Sequence, residues 1–224
     1  MEFMESHTRH QCMIYKGAPS TQLPAIAAIL YQKLNDNYRC LYLNSPAMVS
    51  GLRSTLAGFG MDVAKEIETG RLILSSESVL QSDGTFDTAL MLQKLEDLLD
   101  SALSDGYKGL WASGDMTYEF GNEANLAKLF DYEWQLEKLF DKRPELCGVC
   151  QYHQDTLPAE SLREGLSMHR LIFVNETLSL INPHYMESRR HAEQAAANPL
   201  LDHAVQDICE SDHRNFASVR KSAR

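Results

Sequence analysis

Three short motifs place chemically versatile residues at similar positions along the chain. They are His10-x-Cys12-x-x-Tyr15, Ser113-Gly114-Asp115-Met116-Thr117-Tyr118 and Cys150-Gln151-Tyr152. Each lies at, or just beyond, a short apolar run typical of a buried strand. Because ligands of open α/β folds bind beyond the carboxyl ends of the strands, the motifs predict a ligand pocket. They do not specify a reaction.

The loop after the first motif argues against nucleotide hydrolysis. A phosphate-binding loop has the pattern G-x-x-x-x-G-K-[ST], whose amides and lysine hold the phosphates. Residues 16–21 read Lys-Gly-Ala-Pro-Ser-Thr, without the second glycine and the lysine that follows it. Asp115 resembles the metal-orienting acid of such enzymes, but one aspartate at a strand end is a weak signal. We therefore expect no ATP hydrolysis.

The histidines and cysteines leave a metal site open without predicting one. His10 and Cys12 point to the same side of a strand, and an imidazole with a thiolate is a competent pair of zinc ligands. Two ligands do not make a site, although His153, His169 or His184 could converge on them in the fold. We expect a packed thiol and a hydrogen-bonded histidine, and no metal or other cofactor.

The pair Cys147-Gly-Val-Cys150 resembles a redox motif but lies on a predicted strand. Redox pairs of this spacing need the first turn of a helix, whereas residues three apart on a strand point to opposite faces. The chain has five cysteines, an odd number scattered through a core-forming sequence. We expect reduced thiols rather than disulfides.

Glu133 interrupts the apolar face of a predicted helix, four residues after Leu129 and three before Leu136. A carboxylate held toward a core needs a polar partner or acquires a raised pKa. The pattern supports equally a buried carboxylate that recognises a polar group and a side chain that escapes toward Lys138 or solvent. Glu133 is therefore kept as a candidate site residue.

The composition limits the classes of protein and partner. With 224 residues and 44% hydrophobic content, the chain can bury one substantial core. Its 31 acidic and 21 basic residues give a net charge of −10, which disfavours direct binding to a nucleic-acid backbone. No apolar run reaches the roughly 20 residues that span a bilayer, and residues 1–10 do not resemble a signal peptide. We expect a cytoplasmic protein with no membrane partner.

Short apolar runs alternate with segments of helical period, which predicts βαβ units and a mostly parallel sheet. Strands are predicted at residues 11–15, 39–43, 71–75, 108–113, 145–152, 170–174 and 177–181. Helices are predicted near residues 21–34, 47–56, 87–104, 122–140 and 158–166. The pattern indicates an α/β three-layer sandwich, in which helices flank a mostly parallel central sheet.

The chain is predicted to have one main domain between two less ordered ends. We expect a flexible N-terminus at residues 1–8, one α/β domain at 9–186 and a C-terminal helical tail at 187–224. The last stretch, 214–224, carries four basic residues and no acids. A solvated tail is favoured there over a segment that docks on an acidic partner.

Taken together, the motifs resemble the MEDS family, the methanogen/methylotroph, DcmR sensory domain. The segments that match it, in order, are His10-x-Cys12-x-x-Tyr15, Arg39-Cys40-Leu41-Tyr42, Asp83-Gly84-x-Phe86-Asp87, Gly114-Asp115-Met116-Thr117-Tyr118, Tyr132-Glu133, Cys150-Gln151-Tyr152 and His169. The resemblance covers residues 9–182. Each motif alone is weak, but their order and spacing together are specific.

The resemblance implies a RecA/KaiC-like fold that lacks the phosphate-binding loop. It also implies a cytoplasmic sensory domain for small organic molecules, such as one-carbon or hydrocarbon derivatives, in a family whose members occur alone or joined to histidine kinases and DNA-binding modules. Three positions depart from the family pattern. The acid after Gly114 is often glutamate, tryptophan is frequent where Tyr118 stands, and an acid often follows Tyr152 where this chain has His153. The departures predict a ligand different from that of better-known members.

These observations predict a non-enzymatic signal-transduction module in transcription regulation. Its expected partners are a small organic ligand and a regulatory protein such as a histidine kinase or transcription regulator, with a homodimer left open. The predicted ligand-binding residues, expected together at one edge of the sheet, are His10, Cys12, Tyr15, Asp115, Met116, Tyr118, Glu133, Cys150, Tyr152 and His169. The alternatives are a degenerate RecA-like nucleotide-binding protein and a protein-interaction module without a ligand.

Overall fold

Seven strands form one sheet at the centre of the protein, in the order β3-β2-β4-β5-β1-β6-β7. The strands are β1 (His10–Tyr15), β2 (Arg39–Leu43), β3 (Leu72–Ser75), β4 (Leu110–Asp115), β5 (Leu146–His153), β6 (Leu171–Asn175) and β7 (Leu178–Ile181). All neighbouring strands are parallel except β6 and β7. The computed structural model describes residues 9–175 and 177–210, so the expectations for residues 1–8 and 214–224 lie outside the described residues.

The helices connect the parallel strands. They are α1 (Leu23–Asn35), α2 (Pro46–Gly58), α3 (Val63–Glu68), α4 (Thr88–Ser104), α5 (Met116–Phe120), α6 (Glu123–Lys142), α7 (Ala159–Met168), α8 (Arg189–Ala195) and α9, the helical residues 201–210. A 3₁₀ turn at Pro19–Gln22 precedes α1. Within the described ranges, none of these helices combines the length and the apolar content that crossing a membrane requires.

Two apolar cores, one on each face of the sheet, make the protein a three-layer sandwich. The first face packs against α1, α2 and α3, with Ile26, Leu30 and Leu52 fully buried there. The opposite face packs against α4, α6, α7 and α9, around residues such as Leu99 and Leu166. Because both faces are covered, the central strands are almost continuously apolar, as expected for a parallel sheet. The predicted α/β sandwich is confirmed.

Helix caps and turn residues fix most of the predicted boundaries. Ser45, Asp87 and Asn122 each accept a hydrogen bond from an amide in the first turn of the helix that follows. Sequence reasoning missed α3 and α5, because helices of six and five residues are too short to show a period.

The cysteines at 147 and 150 lie in the cores on opposite faces of β5, which confirms that they do not form a pair.

Close packing of α7 on β5 depends on Gly165. A methyl group at this position would stand 2.7 Å from the Tyr152 ring. We expect Gly165→Ala to lower the free energy of unfolding by about 1–3 kcal/mol, because a buried ring must shift to relieve the overlap. Gly58→Ala, at a helical position where an added methyl meets nothing within 4 Å, is the control and should leave stability unchanged or slightly raised. Urea unfolding measures both, and equal behaviour of the two variants would contradict this packing.

Candidate functional site

Six polar side chains meet inside the core between the sheet and helices α6 and α7. We call them the buried polar cluster. Its members are His10, Glu133, Glu137, Cys150, Tyr152 and His169. Glu133 and His169 are both 0% exposed, so this is a region where polar atoms are costly unless they are paired.

Four separate elements bring the cluster together. His10 begins β1, and Cys150 lies on the neighbouring parallel strand β5, opposite Cys12. Residues 10, 12 and 150 therefore point to the same face of the sheet. Helix α6 contributes Glu133 and Glu137, which lie one turn apart on the same face of that helix. His169 follows directly after α7.

His10 is the centre of the cluster. Its Nδ1 lies 2.7 Å from Glu137 Oε2. Its Nε2 lies 3.3 Å from Cys150 Sγ and 3.4 Å from Glu133 Oε2. The ring stacks on Phe140, with centroids 4.4 Å apart, and its orientation is thereby fixed. Of the two arrangements that the sequence allowed for Glu133, the structure has the buried carboxylate and not the side chain that reaches Lys138 or solvent.

Two polar atoms at the centre of the cluster have no hydrogen-bond partner among the described residues. They are Glu133 Oε2 and His169 Nε2, which lie 3.5 Å from each other. The other atoms of both side chains are paired, since the Tyr152 hydroxyl donates to Glu133 Oε1 at 2.7 Å and His169 Nδ1 lies 2.6 Å from the Gly165 carbonyl. An unpaired polar atom in a buried site calls for an explanation, such as a bound water, an ion or a ligand.

Burial and mutual contact shift the pKa values of these groups in different directions. Burial would raise the pKa of Glu133, but the contact with His10 outweighs burial and lowers it to about 2. Burial lowers the pKa of His169 to about 4, helped by the charge of His10. Burial opposes a charge on His10, but Cys150 and the two carboxylates raise its pKa. Burial and Glu133 raise the pKa of the Cys150 thiol to about 12.

Four members of the cluster could hold a metal ion. One donor atom each from His10, Glu133, Cys150 and His169 lies within 4.8 Å of all the others. Sequence reasoning named all four as site residues, but named Cys12 as the thiol beside His10. It missed Glu137, although its position one turn after Glu133 on the same helix is a usable signal.

A second polar group lies at the carboxyl ends of the strands. Asp115 Oδ2 accepts hydrogen bonds from the Tyr15 hydroxyl at 3.1 Å and from Asn44 at 3.2 Å. Its Oδ1 accepts from the amides of Thr117 and Tyr118, so Asp115 caps α5. Every oxygen of this carboxylate is occupied within the fold, which gives it a structural role.

The expectation that all ten predicted residues share one edge of the sheet is wrong. Side chains alternate along a strand, so Tyr15 points to the opposite face from His10 and Cys12 and packs in the other core. The Tyr118 hydroxyl donates to the carbonyl of Ser76 at 2.8 Å, in the group around Asp115. Cys12 and Met116 are buried on the same face of the sheet as the cluster.

The loop after β1 uses its backbone amide for a hydrogen bond within the protein, whereas a phosphate-binding loop uses its amides to hold the phosphates of its ligand. The Gly17 amide donates to Asp155 Oδ2 at 2.7 Å, and the Gly17 carbonyl lies 2.8 Å from His153 Nε2. A carboxylate next to the amide repels a phosphate group. This geometry disfavours the nucleotide-binding alternative.

The segment after β7 is attached to the elements that carry the cluster. Asn182 Nδ2 donates to the carbonyl of His169 at 2.7 Å. The Tyr185 hydroxyl donates to Glu137 Oε1 at 3.4 Å, and Arg170 contacts the same oxygen at 3.6 Å. Sequence reasoning did not identify these contacts, because they join residues whose spacing has no periodic signal.

An apolar cavity of about 260 Å³ lies elsewhere, between β1, β6, β7 and helix α9. Its lining includes Ile14, Ile172, Leu180 and Ile208, with His184 at its polar margin. None of the ten predicted ligand-binding residues lines it. We give the buried polar cluster priority because it combines titratable groups with unpaired polar atoms.

Comparison with known proteins identifies a sensory family and a related repressor. Residues 9–170 match the family described as MEDS, the MEthanogen/methylotroph, DcmR Sensory domain. The transcriptional repressor DcmR of Methylorubrum extorquens is 22% identical over 160 residues, which are 71% of this chain and 57% of the repressor. This chain therefore spans a little over half the length of that relative.

Two solved structures with the same fold come from the archaeon Pyrococcus horikoshii. A KaiC-like protein of Pyrococcus horikoshii has a TM-score of 0.53 and 12% identity, over 74% of this chain and 70% of its own. An uncharacterized protein of the same organism, crystallised with an unknown peptide, has a TM-score of 0.56 and 14% identity, over 78% of this chain and 83% of its own. These similarities confirm the RecA/KaiC-like fold.

Glu119, beside the group around Asp115, predicts a measurable pH dependence. Burial and the nearby Asp115 charge raise its pKa from 4.5 to about 7. The folded state therefore holds a proton that the unfolded state releases, and stability falls as the pH rises from about 4.5 to 7. Glu119→Gln should match the parent protein at pH 5 and be about 1–3 kcal/mol more stable at pH 8. Urea unfolding at both pH values tests this, and an equal difference at both would contradict it.

Proposed function

The chain belongs to the MEDS family of sensory domains, and from this membership we propose that it senses a small organic molecule for a regulatory system. In this proposal the ligand is a one-carbon or short hydrocarbon derivative with a polar group. The chain binds it without transforming it and passes the binding event to a regulatory partner.

The observation that carries the proposal is the pair of unpaired atoms inside the buried polar cluster, Glu133 Oε2 and His169 Nε2. Such atoms lower stability unless something pairs with them in the working state of the protein. A hydroxyl group of a small alcohol or aldehyde hydrate can donate to either atom. We propose His10, Cys150 and Tyr152 as the residues that position this contact.

The comparisons support a regulatory and non-enzymatic role. The relative from Methylorubrum extorquens is named a transcriptional repressor. Since this chain spans 57% of that relative, the output of this chain is itself part of the proposal. A net charge of −10 disfavours direct contact with DNA, so we propose a protein partner such as a histidine kinase or a transcription regulator.

Signal transfer can use the segment after β7. The hydrogen bonds from Asn182 to the His169 carbonyl and from Tyr185 to Glu137 join it to the cluster. A ligand that moves His169 or Glu137 changes these contacts, and with them the position of α8 and α9. Only a difference in affinity between two such arrangements can transmit a signal.

Thermal unfolding with candidate ligands tests the proposal. Short alcohols, aldehydes, haloalkanes and organic acids are added to the purified chain, and a ligand at about 100 times its Kd should raise Tm by about 5–10 °C. Tyr152→Phe removes the hydroxyl that holds Glu133 and should weaken the affinity for that ligand about tenfold or more. Tyr118→Phe removes a hydroxyl of the other polar group and is the matched control, expected to bind as the parent does.

Two outcomes would contradict the proposal. One is that no compound of these classes stabilises the protein. The other is a stabilising compound whose affinity falls with Tyr118→Phe and not with Tyr152→Phe, which would place binding at the carboxyl ends of the strands.

The interaction-module alternative has one specific observation in its favour. The edge strand β7 exposes Leu178, Leu180 and Ile181, the last of them 84% exposed. Exposed apolar edge strands pair with further strands, and a second copy of this chain offers the same edge. If the chain dimerises there, Ile181→Lys should convert a dimer into a monomer in sedimentation experiments. An unchanged mass of the variant would contradict this arrangement.

A further inference from the structure

We propose that His10, Glu133, Cys150 and His169 bind one first-row divalent metal ion, with Zn²⁺ the ion that fits them best. The donors are His10 Nε2, Glu133 Oε2, Cys150 Sγ and His169 Nε2. This inference does not rest on the sensory function. It is an alternative use of Glu133 Oε2 and His169 Nε2, since a metal ion and a ligand hydroxyl cannot occupy the same two atoms at once.

The hydrogen bond of His169 determines what its other nitrogen can do. The Gly165 carbonyl is only an acceptor, so in a neutral His169 the proton lies on Nδ1, 2.6 Å from that carbonyl. Nε2 then presents a bare lone pair to the core. It faces Glu133 Oε2, also an acceptor, at 3.5 Å. Two buried acceptors that face each other are stabilised by a hydrogen-bond donor or a cation between them, and a metal ion is one such cation.

His10 is oriented in the same way by a different partner. Its Nδ1 lies 2.7 Å from Glu137 Oε2, so a protonated Nδ1 donates a hydrogen bond to that carboxylate. A metal ion would displace the proton that a charged His10 carries on Nε2, and this nitrogen would then act as a ligand beside Cys150 Sγ and Glu133 Oε2. A carboxylate or a backbone carbonyl on the outer nitrogen is the usual support for a metal-binding histidine, and here each histidine has one of the two.

The distances between donors agree with tetrahedral coordination. Bonds of about 2.0–2.2 Å to nitrogen and oxygen and about 2.3 Å to sulfur place tetrahedral donors roughly 3.3–3.7 Å apart. Three of the six observed separations fall in this range: 3.3 Å from His10 Nε2 to Cys150 Sγ, 3.4 Å from His10 Nε2 to Glu133 Oε2 and 3.5 Å from His169 Nε2 to Glu133 Oε2. All four donors lie within 4.8 Å of one another, so side-chain movements of about 1 Å would close the site.

Charge and chemical softness select the class of metal. Metal binding would release the proton of the Cys150 thiol to solvent, and the resulting thiolate and the Glu133 carboxylate carry two negative charges that a divalent ion neutralises inside the core. Two imidazoles and a thiolate disfavour Mg²⁺ and Ca²⁺, which prefer oxygen ligands, and favour Zn²⁺ and its neighbours. The Tyr152 hydroxyl on Glu133 Oε1 holds the carboxylate with its other oxygen toward the site.

The experiment uses the full chain without an affinity tag. Its metal content is measured by plasma mass spectrometry, and the metal-free protein is titrated with Co²⁺, whose thiolate complexes have a near-ultraviolet charge-transfer band. Cys150→Ala removes the proposed sulfur ligand. Cys12→Ala is the matched control, because Cys12 is a buried thiol on the adjacent strand, paired in register with Cys150. Circular dichroism checks that both variants are folded.

We expect about one metal ion per parent chain, a charge-transfer band on adding Co²⁺, loss of both in folded Cys150→Ala and retention of both in Cys12→Ala. A folded parent protein that holds no metal and gives no such band would overturn the site. A band that persists in Cys150→Ala and disappears in Cys12→Ala would overturn this ligand set.

The same preparation separates this inference from the proposed function. Metal-free protein is tested against the organic compounds by thermal unfolding. A ligand that still raises Tm in protein that fails to bind Zn²⁺ or Co²⁺ would overturn the metal site and leave the sensory function in place. Metal binding without stabilisation by any compound would support the metal site and contradict the proposed sensory function.

Discussion

The burial of the Glu133 carboxylate is the constraint on which the rest of the site depends. A carboxylate with no exposed surface must be met by cations or donors on every side. Here the Tyr152 hydroxyl on β5 donates to one oxygen, while the rings of His10 and His169 lie 3.4 and 3.5 Å from the other, which has no hydrogen-bond partner among the described residues. The contacts of the Glu133 carboxylate thus join α6 and the end of α7 to strands β1 and β5 of the sheet.

The position of its polar groups distinguishes this chain from a protein that holds phosphates with a phosphate-binding loop. In a phosphate-binding protein the first loop and the strand-end acid face the ligand. In this chain the Gly17 amide donates to Asp155, and Asp115 caps α5. The unpaired polar atoms of the buried polar cluster lie in the layer between the sheet and helices α6 and α7, and not at the carboxyl ends of the strands. The atoms that we propose for a small ligand or a metal ion are therefore away from the strand ends where a phosphate-binding loop holds its nucleotide.

The fold follows from the sequence to a large extent because its signals are local. Apolar runs mark the strands, and residues such as Asp87 and Asn122 mark helix starts through their own side-chain oxygens. The site is less predictable. The stripe of α6 indicated Glu133, and strand alternation placed His10 and Cys12 on one face, but the same rule should have excluded Tyr15 from it. That Cys150, and not Cys12, lies against His10 depends on how β1, β5 and two helices pack, which no local pattern contains.

X-ray absorption at the zinc edge of the metal-loaded protein is the decisive test of the buried site, because it counts the atoms bound to the metal. A zinc ion held by His10, Glu133, Cys150 and His169 should show one sulfur at about 2.3 Å and three nitrogen or oxygen atoms at about 2.0–2.2 Å. A first shell of nitrogen and oxygen alone, without sulfur, would contradict it, because the metal would then lie outside the buried polar cluster.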